Sequence, residues 1–195
     1  MRIISGEAGG RFLRSAKRSN LRPTPSRVRE ALFSSLAPRI AGTRTLDLFA
    51  GTGAFGMECL SRGGAGAVFV EKDGRSAAVL ESNLESLGYT ARSRVLRDDV
   101  RDALERLSGE KQCFDLVFAD PPYNKSRCPR PDETAWFAEL LQSSTLASLL
   151  AKEGLLLIEH FKKDTAHPPT HLILRREYRF GDTVVSAFEN AAGQG

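Results

Sequence analysis

Thr45-Leu46-Asp47-Leu48-Phe49-Ala50-Gly51-Thr52-Gly53-Ala54-Phe55-Gly56 is the stretch that decides the fold. Residues 45–49 predict a strand, and a helix is predicted from about Gly53 to Arg62, before Gly63-Gly64. Glycines between a strand and a helix allow a tight turn, and the start of the helix offers N–H groups to an anionic ligand. The spacing of Gly51, Gly53 and Gly56 matches the dinucleotide fingerprint. That spacing alone does not separate NAD from S-adenosylmethionine (SAM), or either from an ordinary strand–helix turn.

The alternation of strand and helix continues along the chain. Apolar runs predict further strands at Ala67–Val70, Phe114–Ala119 and Leu155–Ile158, and a less apolar strand is predicted at Ser93–Arg97. Helical spacing predicts a helix with Ala77, Leu80, Leu84 and Leu87 on one face before Gly88, a short helix near Val100–Leu107, and a long helix marked by Trp136, Phe137, Leu140, Leu141 and Ala147. Strands that are apolar throughout are typical of a parallel sheet covered on both faces, so the pattern predicts a doubly wound α/β sheet.

The end of the chain departs from this alternation. Leu172–Phe180 and Thr183–Phe188 are two strand-like runs joined by Gly181-Asp182, with no helix between them. They predict an antiparallel hairpin that closes one edge of the sheet. The polar, proline-containing stretch 125–133, by contrast, is predicted to be a loop.

The first 44 residues carry an excess of positive charge. They hold ten Lys/Arg against two Asp/Glu, a net charge of +8, whereas residues 45–195 hold eighteen against twenty-two, a net charge of −4. The whole chain of 195 residues has a net charge of +4. A basic arm on a slightly acidic body predicts an anionic macromolecular partner, with a solvated basic face as the alternative.

Local patterns in this basic region predict a hairpin and a helix. Two short runs, Arg2–Ser5 and Arg11–Ser15, flank a turn with two glycines, as in a small hairpin. A helix follows, with Thr24 as its cap and Pro25 in its first position. The helix is predicted to bury Val28, Ala31, Leu32 and Leu36, with Arg27 and Arg29 off that face. We expect a basic arm over residues 1–21 and an α/β domain over residues 22–195.

The composition argues against several classes of protein. No apolar run approaches the roughly 20 residues of a membrane span, and the N-terminus lacks the apolar core of a signal peptide. Three widely spaced cysteines fit a reducing cytoplasm better than a disulfide framework or a zinc site. Cys59 is predicted to be a core residue and Glu159 a structural one. The histidines show no ligand spacing, so no metal site is predicted at His160, His167 and His171.

Acidic residues follow the second and third predicted strands. Glu71 ends the second strand twenty positions after Gly51, where an acid can accept both ribose hydroxyls of a nucleoside cofactor. Asp98 and Asp99 follow the third strand, and one of them is placed to contact the adenine amine of that cofactor. The other is equally suited to cap the helix that begins near Val100.

Asp120-Pro121-Pro122-Tyr123 directly follows the predicted strand Phe114–Ala119. Ligands of open α/β sheets bind beyond the carboxyl ends of the strands, so we expect this tetrapeptide and Gly51–Gly53 to meet at one crevice. An exocyclic amine of a nucleic-acid base is a poor nucleophile because its lone pair is delocalised into the ring. A carboxylate and a backbone carbonyl that each accept one N–H favour an sp³-like nitrogen, and the prolines hold these acceptors in place. The Tyr123 ring offers a surface for an unstacked base.

With these residues assembled, the sequence resembles the bacterial 16S rRNA (guanine-N2)-methyltransferase family typified by RsmD. The discriminating signature is Arg22-Pro23-Thr24 together with Arg27–Phe33, since the glycine turn is shared by many methyltransferases. The resemblance covers nearly the whole chain and includes Met1–Gly6, Gly10-Arg11, Leu46–Gly53, Leu60–Gly63, Phe69–Asp73, Asp120–Tyr123 and Gly181–Thr183. The chain departs from the family in having Phe180 where a tyrosine is common.

The resemblance implies a class I SAM-dependent methyltransferase fold, Rossmann-like, with a seven-stranded sheet whose last strand is antiparallel. It implies SAM as methyl donor and one guanine of 16S rRNA as target, in free RNA or in a small ribosomal subunit. The catalytic residues are then Asp120, Pro121, Pro122 and Tyr123. The cofactor residues are Asp47, Phe49, Gly51, Thr52, Gly53, Glu71, Lys72, Asp98, Asp99, Val100 and Asp120. The RNA-binding residues are Arg11, Arg14, Lys17, Arg18, Arg22, Thr24, Arg27, Arg29 and Tyr123.

Three other functions are compatible with parts of the sequence. An adenine-N6 DNA methyltransferase uses the same Asp-Pro-Pro-Tyr tetrapeptide, but such enzymes usually carry an added recognition domain, for which we find no segment of sufficient length. An NAD-dependent oxidoreductase accounts for the glycine spacing but leaves Asp120–Tyr123 and the basic arm unexplained. A non-catalytic RNA-binding protein with this fold has no need of Asp120 or Glu71.

Overall fold

The computed structural model describes residues 1–15, 26–122 and 136–191. Its strands are β1 (Arg44–Leu48), β2 (Gly66–Val70), β3 (Ser93–Leu96), β4 (Phe114–Ala119), β5 (Leu150–Phe161), β6 (Leu172–Phe180) and β7 (Thr183–Asn190). Its helices are α1 (Ser26–Ile40), α2 (Ala54–Ser61), α3 (Gly74–Leu87), α4 (Val100–Gly109), α5 (Trp136–Gln142) and α6 (Ser144–Ser148), with a 3-10 helix at Thr90–Arg92. The seven strands form one sheet in the order β3-β2-β1-β4-β5-β7-β6. In the three described ranges, no helix is both long and apolar enough to cross a membrane.

The chain falls into two compact units, of which the first is Met1–Ala103. Its three strands are parallel, with β1 paired to β2 from Arg44↔Gly66 to Leu48↔Val70 and β2 paired to β3 from Ala67↔Ser93 to Val70↔Leu96. Helix α2 packs on β1 and β2, and α3 packs on β3. The predicted parallel arrangement is confirmed, and the carboxyl ends of the three strands lie at one edge.

Residues 1–15 form a minimal hairpin on this first unit. One antiparallel bridge joins Arg2 to Phe12, and the Ile3 N–H donates to the carbonyl oxygen of Arg11 at 2.9 Å. The hairpin contributes three apolar side chains to the core shared with α2 and α3, those of Ile3, Ala8 and Leu13. The predicted hairpin is therefore confirmed, and it is anchored by burial of these side chains as well as by its own hydrogen bonds.

The second unit, Leu104–Gly195, contains a mixed set of strands. β4 is parallel to β5, from Leu116↔Leu155 to Ala119↔Ile158. β7 is antiparallel to both β5 and β6, and Gly181-Asp182 forms the turn between β6 and β7. The predicted C-terminal hairpin is confirmed. Strand β7 lies between β5 and β6, and β6 is the outer strand of the hairpin.

The single long helix predicted from Trp136 to Ala147 is wrong. The structure has two helices, α5 and α6, separated at Ser143. The Ser143 backbone is extended, with φ −71° and ψ 109°, and its hydroxyl accepts the Leu146 N–H at 3.1 Å. A serine that caps a new helix in this way competes with continuation of the preceding one.

The predicted buried face of α1 is also partly wrong. Ala31 is exposed, whereas Arg29, predicted to lie off this face, is only 4% exposed and Phe33 is fully buried. The Arg29 guanidinium donates through Nη2 to the Arg2 carbonyl oxygen at 3.2 Å. Burial lowers the pKa of Arg29, although the nearby Glu58 carboxylate opposes the shift. The side chain therefore ties α1 to the N-terminal hairpin.

Candidate functional site

The turn between β1 and α2 is stabilised by hydrogen bonds to the buried Asp47 side chain and within its own backbone. Asp47 is 2% exposed, and its Oδ2 accepts the Gly56 N–H at 2.9 Å. The Gly53 N–H donates to the Ala50 carbonyl oxygen at 2.8 Å. Phe49 has a φ of 58°, a left-handed conformation that is unusual for a bulky residue. Strained backbone of this kind is concentrated at functional sites, where the surrounding structure holds it in place.

Two glycines of this turn have separate structural reasons to be glycine. Gly53 has a φ of 79°, and a Cβ there would lie 2.8 Å from Cε of Met57. A Cβ on Gly56 would lie 2.4 Å from Cε1 of Phe69 on β2, so this glycine permits the close approach of α2 to the sheet. The glycine spacing thus shapes the turn whether or not a ligand is bound.

Glu71 lies where the ends of β1 and β2 meet. Its Oε2 accepts the Gly51 N–H at 2.7 Å, and its Oε1 accepts the Asp73 N–H at 2.7 Å. The Glu71 N–H donates to the Leu96 carbonyl oxygen at 3.0 Å, which ties it to the end of β3. The side chain is half-buried, and each carboxylate oxygen can accept from a further donor. The structure thus brings together the glycine turn and the acid predicted to bind ribose.

The two acids that follow β3 have different surroundings. Asp99 accepts from Lys72 Nζ at 2.9 Å and from the Arg101 N–H at 3.0 Å. These contacts lower the pKa of the Asp99 carboxyl. The Asp99 carbonyl oxygen also accepts from the Ala103 N–H, so Asp99 caps the start of α4, while Asp98 is half-buried beside it. Two other predicted cofactor residues are the half-buried Thr52, in the turn between β1 and α2, and the buried Val100, the first residue of α4.

Asp120 belongs to the second unit and directly follows β4. Asp120 is half-buried, Pro121 is buried and Pro122 is exposed. Ala119 is the last β4 residue paired with β5, so the predicted catalytic segment begins where the chain leaves the sheet. The prolines restrict φ and so limit the conformations of the backbone after Asp120. Tyr123 lies outside the described residues.

Two arginines of the N-terminal hairpin are anchored on α3. Arg14 donates through Nη1 to Ser82 Oγ at 2.7 Å, and Arg11 donates through Nη2 to the Ser86 carbonyl oxygen. Both arginines are exposed, so they combine an anchored position with access to a partner. Several predicted RNA-binding side chains fall outside the described part of the chain, namely Lys17, Arg18, Arg22, Thr24 and Arg27.

Phe12 is a surface residue that is absent from the RNA-binding residues predicted from the sequence. Its side chain is 80% exposed, more than that of any other large apolar residue in the described ranges. It lies next to Arg11, while the following residue, Leu13, is buried. Alternation along an extended chain is the signal that predicts this exposure. Aromatic rings and arginine side chains in such positions are typical of surfaces on which unpaired bases stack.

The histidines and cysteines that could bind a metal or react were also located in the structure. Among the described residues, no three His, Cys, Asp or Glu side chains converge as metal ligands. His160 is 5% exposed, its Nε2 lies 2.8 Å from Ser186 Oγ, and its ring stacks on Phe137 at 3.9 Å between centroids. Burial lowers the pKa of His160. Cys59 is fully buried, as predicted, and burial raises the pKa of its thiol.

Comparison with known families gives a match over almost the whole chain. Residues 1–189 match the family model described as Conserved hypothetical protein 95. Among curated proteins, the chain is 34% identical over 193 residues to Ribosomal RNA small subunit methyltransferase D of Escherichia coli strain K12. That similarity covers 98% of this chain and 91% of the relative.

Solved structures give the same result in three dimensions. The candidate methyltransferase yhhF of Escherichia coli superimposes with a TM-score of 0.79 at 34% identity, covering 98% of each chain. A hypothetical protein of a Thermus strain superimposes with a TM-score of 0.75 at 33% identity, covering 96% of this chain and 98% of the other. The similarity therefore extends over both compact units.

Proposed function

The chain belongs to the family described as Conserved hypothetical protein 95, and from this premise we propose that it transfers a methyl group from SAM to the exocyclic N2 of one guanine in small-subunit rRNA. The observation that carries the proposal is the full-length similarity to an enzyme named for methylating that RNA. The class I methyltransferase fold expected from the sequence is confirmed by the strand order and by the superimposed structures. The choice of guanine N2 is the finer part of the proposal, and it rests on the family resemblance.

The residues at the ends of β1, β2 and β3 fit the three parts of SAM. The turn at Gly51–Gly53 precedes the start of α2, which suits the carboxylate of the methionine part. Glu71 on the next strand suits the ribose hydroxyls, because its oxygens can accept donors beyond the two N–H groups they already bind. We assign the adenine amine to Asp98 because Asp99 already binds Lys72 and caps α4.

Asp120 and the prolines after it are proposed to prepare the amine for reaction. When bound, SAM supplies an electrophilic methyl group on a positively charged sulfur. The Asp120 carboxylate accepts one N–H of the guanine amine, and a backbone carbonyl of Pro121-Pro122 accepts the other. Together they favour an sp³-like nitrogen whose lone pair would form the new N–C bond as the C–S bond breaks. S-adenosylhomocysteine would leave, and the methylated amine would lose one proton to solvent. Preorganised acceptors of this kind lower the barrier because they need no rearrangement during the reaction. Tyr123 stacks on the flipped base.

The basic arm over residues 1–21 is proposed to bind the RNA around the target base, with the methyltransferase domain in residues 22–195. The contacts that hold the exposed Arg11 and Arg14 on α3 support a role for them in binding phosphates, and the exposed ring of Phe12 supports a role in stacking. The other assigned RNA contacts rest on charge and on the family resemblance: Lys17, Arg18, Arg22, Thr24 and Arg27. We assign Arg29 a different role, holding the hairpin against α1, because its guanidinium is buried beside the Arg2 carbonyl. The substrate is the RNA alone or a small ribosomal subunit.

A methylation assay with a matched variant tests this proposal. Small ribosomal subunits from a bacterial strain that lacks the homologous enzyme are incubated with the chain and SAM labelled in its methyl group. We expect label in small-subunit RNA and none in plasmid DNA. Asp120→Asn keeps the size of the side chain but removes its charge, so transfer should fall by about 100-fold to 1000-fold.

The controls separate the competing functions. Asp120→Asn should still bind SAM in calorimetry, because the glycine turn and Glu71 are untouched. Label in DNA adenine would favour the adenine-N6 alternative, and binding of NAD in place of SAM would favour an oxidoreductase. Full transfer by Asp120→Asn would remove the proposed mechanism while leaving the cofactor assignment intact.

A further inference from the structure

Asn83 is a buried polar residue to which the sequence patterns assign no role. It lies on α3 between the apolar positions Leu80 and Leu84 and is 1% exposed. Leu80 and Leu84 belong to an apolar cluster that also includes Leu13 of the N-terminal hairpin and Met57 of α2. A side-chain amide in such a core is costly unless its donors and acceptor are paired.

The Asn83 amide joins two backbone segments that are distant in sequence. Its Oδ1 accepts the Arg14 N–H at 2.8 Å, and its Nδ2 donates to the Arg14 carbonyl oxygen at 3.1 Å. The same Nδ2 donates to the Thr52 carbonyl oxygen at 3.1 Å. Asn83 therefore pairs with Arg14 as a neighbouring strand would, and uses its second N–H to hold the glycine turn.

Both segments carry proposed binding residues. Arg14 lies in the basic arm, and its guanidinium is held by Ser82 on the same helix. Thr52 lies between Gly51 and Gly53, and the Gly51 N–H donates to Glu71 at 2.7 Å. A continuous series of hydrogen bonds thus runs from the arm backbone through one buried amide to the turn next to Glu71.

We propose that Asn83 is a positioning residue that couples RNA binding by the basic arm to SAM binding at the glycine turn. The inference rests on the proposed function, because it takes the arm as the RNA site and the turn as the SAM site. A ligand that orders the Arg14 backbone also orders the Asn83 amide, and through it the Thr52 carbonyl. Because such coupling is reciprocal in binding free energy, SAM increases the affinity for RNA by the same factor.

The experiment measures the coupling factor in the wild-type chain and in variants. S-adenosylhomocysteine, which has no methyl group to transfer, is titrated in calorimetry with and without saturating small-subunit rRNA. We expect the wild type to bind it at least about fivefold more tightly when RNA is present. Asn83→Leu, which removes all three hydrogen bonds, should bring this ratio close to one. Ser82→Ala is the matched control, since it removes a contact of the Arg14 side chain but none of the contacts to the turn, and it should keep the wild-type ratio.

A second variant and a second measurement cover the case in which Asn83→Leu does not fold. Asn83→Asp keeps the acceptor for the Arg14 N–H but removes both donors, so it should also reduce the ratio. In the wild type, S-adenosylhomocysteine alone should slow hydrogen exchange at the Arg14 amide, which a purely structural role for Asn83 does not predict.

The possible results distinguish this inference from the proposed function. A wild-type ratio of one, in a chain that binds both ligands and methylates RNA, overturns the coupling and leaves the function standing. A wild-type ratio retained by folded Asn83→Leu or Asn83→Asp overturns the role of Asn83, as does Arg14 exchange that is unchanged by S-adenosylhomocysteine. A chain that binds neither ligand overturns the proposed function and the inference with it.

Discussion

Glu58 on α2 and Glu71 after β2 are carboxylates that each bind two backbone N–H groups, yet their surroundings are opposite. Glu58 is fully buried, and its oxygens accept from Ile4 N at 2.6 Å, from Ser5 N at 3.0 Å and from Arg62 Nε at 2.7 Å. Glu71 is half-buried at a strand end and accepts from the two loop N–H groups described above.

The contrast shows that the Glu58 carboxylate stabilises the fold, whereas the Glu71 carboxylate is accessible to a ligand. Glu58 fastens the N-terminal hairpin to α2, and its partners are supplied by the protein itself. Glu71 has a solvent-accessible part and lies beside a strained turn, which are the conditions under which a strand-end acid binds a cofactor. The position of Glu71 at a strand end after the glycine turn predicts a ligand role from the sequence, whereas the role of Glu58 is evident only from its three-dimensional partners.

The largest effect should come from Glu58→Ala. This substitution leaves the half-buried Arg62 guanidinium and two backbone N–H groups without their partner, so the free energy of unfolding should fall by about 3–5 kcal/mol. Urea denaturation measures the decrease. Glu85→Ala, on the exposed face of α3, is the control and should stay within about 0.5 kcal/mol of the wild type. Equal stability of the two variants would contradict the claim that Glu58 stabilises the fold.

Glu71→Ala should affect ligand affinity more than stability. Loss of hydrogen bonds to a charged acceptor should weaken SAM binding by about tenfold to a hundredfold. The free energy of unfolding should change far less than in Glu58→Ala, because Glu71 is partly solvated. Calorimetry with SAM and urea denaturation give the two quantities. An unchanged SAM affinity would mean that the ribose contact has been assigned to the wrong residue.

Charge reversal in the basic arm should change the salt dependence of RNA binding. Replacing Arg11, Arg14, Lys17 and Arg18 by glutamate should flatten the slope of log affinity against log salt by roughly 0.7–0.9 for each phosphate that the arm no longer binds. SAM affinity in the absence of RNA should not change. Fluorescence anisotropy at several salt concentrations measures the slope, and a slope equal to that of the wild type would make the arm a solvated face without an RNA role.

The smallest effect concerns pH and the buried His160. Burial holds its folded pKa below the unfolded value, against the opposing influence of Asp164 and Glu177. The unfolded chain therefore binds more protons as the pH falls below about 6.5, and the neutral ring's contribution to stability is lost in that range. Thermal melts from pH 8 to pH 5.5 should show a shallower acid decline for His160→Gln than for the wild type. Exposed His167→Gln should follow the wild-type curve, and an identical decline in all three would contradict the assignment.

The elements that the sequence predicts well are those whose pattern is local. The run Phe114–Ala119, apolar except for Asp115, is strand β4 with the predicted bounds, and the stripe from Ala77 to Leu87 is the buried face of α3. Glycine spacing and the position of Glu71 also follow from short-range rules about strand ends and turns. Local rules suffice here because the burial of these residues follows from the periodicity of their own segment.

What the sequence does not predict depends on partners far along the chain. Arg29 is buried because a carbonyl of the N-terminal hairpin, that of Arg2, accepts its N–H. Asn83 is buried because Arg14 and Thr52 pair with it from 69 and 31 positions away. The choice between Asp98 and Asp99 likewise needs the ion pair with Lys72, which joins two loops. The periodicity of a single segment does not show which distant residues will pair with it.

The most direct test of the central claim is the identity of the methylated nucleoside. Small-subunit RNA is treated with the wild-type chain and SAM, digested to nucleosides and analysed by mass spectrometry, with Asp120→Asn as the control. Our proposal predicts one N2-methylguanosine per RNA with the wild type and almost none with Asp120→Asn. Methyl groups found on adenine or cytosine, or equal N2-methylguanosine with both proteins, would contradict it.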